Sequence, residues 1–91
     1  MPIVTLRYWA AAKEAAGVAE DKVEAVTLAD ALAAGIEAAR QRSADRENRL
    51  RAVLARSSFL VNAQPAGTKP PESLALAAGD EIEVLPPFAG G

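Results

Sequence analysis

Two glycines, Gly90 and Gly91, close the sequence, and the group there with chemistry to offer is the α-carboxylate of Gly91. Such a carboxyl has a pKa of about 3.3–3.7, so it is ionised at neutral pH and a poor electrophile until activated. Neither glycine has a side chain, so this backbone can thread a narrow channel and bend freely beside another protein. Pro86-Pro87 stiffens the approach, because proline restricts φ and favours extended backbone. From Leu85 the terminus can reach at most about 20 Å. Phe88 is a large apolar residue in this stretch. It either folds back on its own sheet or anchors the tail in a partner's groove, with Ala89 spacing it from the glycines. The plain alternative is a frayed end, since terminal glycines are commonly disordered.

The rest of the inventory excludes more than it offers. With no Cys there is no disulfide, thiolate nucleophile or cysteine metal site. With no His there is no Ser-His triad and no histidine zinc site. No glycine-rich phosphate loop occurs. Glu81 and Glu83 have the spacing of an acid/base pair, yet on one strand they read as solvent-facing. Asp80, after Gly79, reads as a structural turn residue. An autonomous enzyme's usual equipment is missing.

Ninety-one residues suit a single domain with one sheet packed on a helix. The net charge of −2 gives no global attraction to a polyanion, so nucleic acid is not an expected partner. No long apolar run or leader pattern appears, so the expectation is a cytoplasmic chain without a membrane partner.

The elements that must present the terminus are legible from periodicity. Ile3 to Trp9 reads as a strand, with Val4, Leu6 and Tyr8 on one face and Ile3, Thr5, Arg7 and Trp9 on the other. Ala10 to Ala16 suits a short helix or turn that stops at Gly17. Lys22 to Val26 is a weaker strand. Thr27 with Asp30 resembles a capping box, starting a helix to about Arg42 whose stripe is Leu28, Ala31, Leu32, Gly35, Ile36 and Ala39. Gly35 costs about 1 kcal/mol there against alanine, which suggests close approach to the sheet. Residues 40–56 carry a local charge of about +4, with Leu50, Val53 and Leu54 at the spacing of a second short helix whose arginines form a solvated face. Phe59 to Val61 reads as a strand with Leu60 pointing outward, followed by a turn at Asn62 and a loop from Pro65 to Ser73. Ala78 to Asp80 is a tight turn before the final strand, Glu81 to Leu85, with Ile82 and Val84 inward. The order β-β-α-β-β with a central last strand is an α+β arrangement, a mixed sheet on one main helix.

The segment Leu74-x-Leu76-x-x-Gly79-Asp80-Glu81-Ile82-x-Val84-x-Pro86-Pro87-x-x-Gly90-Gly91 resembles the C-terminal signature of the small subunit of molybdopterin synthase (MoaD type), of the MoaD/ThiS ubiquitin-like sulfur-carrier family. Val61-Asn62 and the opening Val4-x-Leu6-x-Tyr8 are similar to that family too. The likeness spans nearly the whole chain and is weakest between Arg40 and Ser57. It implies a ubiquitin-like β-grasp domain over residues 1–85 and a Gly-Gly tail over residues 86–91. It further implies that a ubiquitin-activating-type adenylyltransferase (MoeB type) uses ATP to adenylate Gly91, and that a sulfur donor then converts it to a thiocarboxylate. The tail, Pro86 through Gly91, would enter a large subunit (MoaE type) and deliver sulfur to cyclic pyranopterin monophosphate, with Leu60, Pro86, Pro87 and Phe88 at the partner interface. No bound cofactor or metal is expected on this chain. Thiamin or cysteine synthesis uses the same mechanism and also Gly-Gly carriers. A ubiquitin-like modifier or interaction domain is the alternative of a different class.

Overall fold

Strand β1 (Ile3–Tyr8) has the expected alternation, burying Val4, Leu6 and Tyr8. It belongs to the computed structural model of the chain, which describes residues 2–87. Trp9 leaves the strand and is the extended N-cap of α1 (Ala10–Ala16), so β1 ends one residue earlier than its alternation suggests. Helix α1 closes at Gly17, whose φ of 87° is the left-handed cap that glycine favours.

Strand β2 is Glu20–Glu24, two residues ahead of the Lys22–Val26 expectation. It is an edge strand antiparallel to β1, so polar residues suit its exposed positions. Val26 falls outside it, 46% exposed, because the chain is already turning into the cap of α2. Thr27 starts α2 (Leu28–Arg42) as expected, its hydroxyl accepting the Asp30 N–H at 3.2 Å. Leu28, Ala31, Gly35 and Ala39 form the buried stripe.

Gly35 brings α2 onto β1. A Cβ there would lie 2.6 Å from the Tyr8 hydroxyl and 2.7 Å from Leu6 Cδ1, so any larger residue would force these two buried side chains to shift. The Tyr8 hydroxyl donates to Asp21 at 3.1 Å. Burial, with the charge and hydrogen bond of Asp21, pushes the phenol above its ordinary pKa. Arg42 pairs with the same Asp21 and donates to the Ala16 carbonyl at 2.7 Å. One polar group of three side chains thus joins β1, β2, α1 and α2.

Helix α3 (Ala44–Leu54) forms in the arginine-rich segment and packs on α1 and α2 through Leu50, Val53 and Leu54. Its polar side is more than a solvated face. Arg46 donates to the Glu14 carbonyl at 2.8 Å, satisfying an open C-terminal carbonyl of α1. Arg49 and Arg51 pair with Asp45 and Glu47 one turn earlier.

Strands β3 (Ser58–Val61) and β4 (Gln64–Pro65) form a hairpin where only a turn and loop were expected. Asn62 and Ala63 both take positive φ, 51° and 67°, the two-residue arrangement whose twist matches a hairpin. A 3₁₀ turn, Pro71–Ser73, interrupts the expected loop. Strand β5 (Glu81–Leu85) lies centrally in the order β2-β1-β5-β3-β4, parallel to β1 and antiparallel to β3. The result is the α+β arrangement expected, one mixed five-stranded sheet with its helices over one face.

Candidate functional site

Strand β5 enters the sheet through a built corner and leaves it toward the C-terminal residues. At the entry, Asp80 accepts the Ala77 N–H at 2.8 Å and the Asn62 side-chain amide at 2.9 Å. Those two bonds, the Ala77 one first, hold its carboxyl below the usual carboxylate range. Asn62 also accepts the Glu81 N–H at 2.9 Å. Asp80 is therefore the structural turn residue expected. The turn holds β5 in register, which sets where Leu85, Pro86 and Pro87 emerge.

The exit lies at the opposite end. Because β1 runs parallel to β5, the Trp9 end of β1 sits beside it, with the Trp9 N–H on the Val84 carbonyl at 3.3 Å. Because β3 runs antiparallel, Ser58 stands opposite Leu85 and Leu60 opposite Glu83. Period-two alternation then puts Leu60, Glu83 and Leu85 on the face away from the helices. Trp9 joins them, its indole N–H donating to Glu83 at 3.1 Å. Leu60, Leu85 and Pro86 are half-buried; Pro87 is exposed, and Trp9 is 46% exposed. Trp9 and Leu85 thus lie where β5 ends, with Leu60 on the same face two residues back, opposite Glu83.

The predicted site residues divide accordingly. Leu60 points outward as expected, while Phe59 and Val61 pack against the core. Pro86 and Pro87 follow Leu85 at the exit end of the sheet, whereas Leu60 sits mid-sheet on the outer face opposite Glu83. Phe88, Ala89, Gly90 and Gly91 lie outside the described residues. Trp9 and Leu85 share this face although the sequence reading gives them no site role; each is a large apolar residue at an outward position of the strand that alternation predicts. The glutamates face outward as expected. Glu81 pairs with Arg7 at 3.1 Å and Glu83 holds the indole, so neither is arranged to exchange a proton with the other. Among the described residues no group of His, Cys, Asp or Glu is placed to hold a metal ion, and no helix is long and apolar enough to cross a membrane.

Comparison with known proteins agrees with this fold. The sequence model of the ThiS family matches residues 6–91. No curated protein matches at a significant level. Among solved structures, SAMP1 (small archaeal modifier protein 1) from Haloferax volcanii is 25% identical, with a TM-score of 0.76 over 98% of this chain and 99% of that one. A putative molybdopterin converting factor subunit 1 from Pyrococcus furiosus is 19% identical, with a TM-score of 0.72 over 97% and 100%. The complex of subunits 1 and 2 of molybdopterin-converting factor from Helicobacter pylori contains a chain 22% identical, with a TM-score of 0.63 over 98% and 99%. The last two likenesses concern the fold, a ubiquitin-like β-grasp.

Proposed function

The chain belongs to the ThiS family of ubiquitin-fold sulfur carriers, and on that premise we propose that it carries sulfur as a thiocarboxylate on Gly91 for molybdopterin synthesis. The observation that carries this reading is the family match running through residue 91, on a chain whose central strand exits into Pro86-Pro87 beside an apolar patch.

The chemistry follows from the terminus. An ionised carboxylate resists nucleophiles. A MoeB-type partner uses ATP to turn it into an acyl-adenylate, releasing pyrophosphate, and sulfide-level sulfur from a donor then displaces AMP to leave the thiocarboxylate. An unhindered glycine leaves the carbonyl open to that attack, and the sulfur it gains becomes the nucleophile in the next step. This chain supplies the carrier group and the docking surface, and acids and bases come from the partner. A MoaE-type large subunit receives the tail, with Trp9, Leu60 and Leu85 against its surface. Pro86-Pro87 ahead of the glycines favours the molybdopterin pathway over thiamin or cysteine synthesis.

A second reading is a protein modifier, favoured by the likeness to SAMP1. Intact mass after co-expression with a MoeB-type enzyme separates the two. The carrier gains the difference between one sulfur and one oxygen, and a modifier gives isopeptide-linked adducts on lysine. Molybdopterin formation with a MoaE-type subunit then tests the pathway. Protein that acquires sulfur yet never supports that reaction would count against molybdopterin and leave the carrier assignment standing.

A further inference from the structure

We propose that Glu83 is a specificity-determining residue of the docking face, selecting partner proteins whose apolar contact surface presents an arginine or lysine. The inference rests on reading the outer sheet face as the place where partners bind.

The outer face is acidic. Register puts Glu20, Lys22 and Glu24 of β2 beside Arg7, Thr5 and Ile3 of β1, with Glu81 and Glu83 following on β5. Four carboxylates therefore share the face with two cations. Arg7 is engaged by Glu81 at 3.1 Å and Glu20 at 3.8 Å, although Glu83 is its register partner. Lys22 lies 3.4 Å from the Thr5 hydroxyl. Among the described residues Glu83 makes no ion pair, and its hydrogen-bond partner is the neutral Trp9 indole. Most of the chain's cations lie between residues 40 and 56, which form the end of α2, α3 and the turn after it.

The place of this charge matters more than its sign alone. Glu83 stands opposite Leu60 and holds Trp9, so its carboxylate lies among the apolar contacts. A partner covering that patch must take the carboxylate out of water. Doing so without a compensating cation is costly, whereas a facing guanidinium or ammonium offsets the loss. An otherwise complementary apolar surface without a cation is therefore rejected, which is discrimination by a built-in penalty. The same charge steers encounter, so association should weaken as salt screens it.

The test uses Glu83→Gln, which keeps an oxygen for the indole and removes only the charge, together with Glu83→Lys. Each full-length variant is titrated with purified MoaE-type large subunit and MoeB-type adenylyltransferase from the same organism, at low and high salt. Trp9→Ala serves as the control for the face itself. The expected result, for at least one partner, is binding weakened about two- to fivefold by Glu83→Gln, with a flatter salt dependence. Glu83→Lys should weaken it by about tenfold or more. If Trp9→Ala impairs binding while both Glu83 variants bind as tightly as the parent or tighter, the proposal is overturned and the docking face stands. If Trp9→Ala also binds normally to both partners, the docking face itself is wrong.

Discussion

The side-chain amide of Asn62 donates to the carboxylate of Asp80 at 2.9 Å, joining the β3–β4 turn to the start of β5 across 18 positions of sequence. The contact makes an exposed corner answerable for the register of the central strand. It also makes that corner sensitive to acid.

The Asp80 carboxyl is held below its ordinary pKa by the Ala77 N–H and then by Asn62. A carboxyl depressed in the folded state adds stability that is fully present above its unfolded value of about 3.9. That contribution is lost as pH falls below about 4 and through the folded value. Thermal melts from pH 6 to pH 2 should therefore show a steeper acid loss for the parent than for Asp80→Asn, which cannot titrate. Equal slopes would mean that other carboxylates dominate the acid limb. Asn62→Ala should cost about 1–3 kcal/mol at neutral pH, because it removes bonds to both Asp80 and the Glu81 N–H.

Gly35→Ala should destabilise the domain despite alanine's better helix propensity. The gain from propensity is about 1 kcal/mol. Against it, the new Cβ meets the Tyr8 hydroxyl and Leu6 Cδ1 at 2.6 and 2.7 Å, and overpacking of this kind typically costs about 1–3 kcal/mol. Moving Tyr8 also disturbs its bond to Asp21. Urea denaturation should give a lower midpoint. A higher midpoint would show that α2 can lift from the sheet freely.

Arg42→Ala tests whether the arginine-rich stretch is built into the fold. The guanidinium serves Asp21 and the Ala16 carbonyl together, and its side chain is only 27% exposed. Its loss leaves a partly buried carboxylate with Tyr8 alone, so a cost of about 1–3 kcal/mol is expected in chemical denaturation. The exposed pair partner Arg51→Ala should change stability by less than about 1 kcal/mol.

The residues that were legible in the sequence were those whose reasons are local. The β1 alternation, the Thr27 cap, the α2 stripe and the Gly79 turn each need only a few neighbours to specify them. Gly35 could be marked as a close approach, but its partners Leu6 and Tyr8 emerge only from the tertiary packing. Strand β4 was hidden because Ala63, a residue with no preference for positive φ, occupies the second place of the hairpin turn. The early start of β2 was hidden because edge strands accept charged residues that otherwise read as loop. Alternation puts Trp9 on the outer face, yet its contact with Glu83 depends on β5 lying beside β1, a pairing between residues far apart in sequence. The β3–β5 pairing, equally non-local, puts Leu60 opposite Glu83 on the same face.

The final prediction concerns Gly90→Val. Among the described residues the buried core runs from Val4 to Val84, and a substitution beyond it is expected to change stability by less than about 0.5 kcal/mol. Its effect should fall on transfer. On the proposed function the terminus reaches an adenylating pocket and then the sulfur acceptor, and both call for an extended, closely enclosed backbone. Valine widens the chain and restricts its torsions, which glycine does not. Partner binding through Trp9, Leu60 and Leu85 should persist, giving a complex that assembles and does not react. Measuring the association constant and sulfur transfer on the same preparation separates these effects. Deleting Gly91, or extending the chain beyond it, should abolish transfer with the melting temperature unchanged, because the reacting group itself is removed or blocked. Near-normal transfer by Gly90→Val would show a wider passage than the paired glycines suggest, and near-normal transfer by the truncated chain would sink the carrier reading.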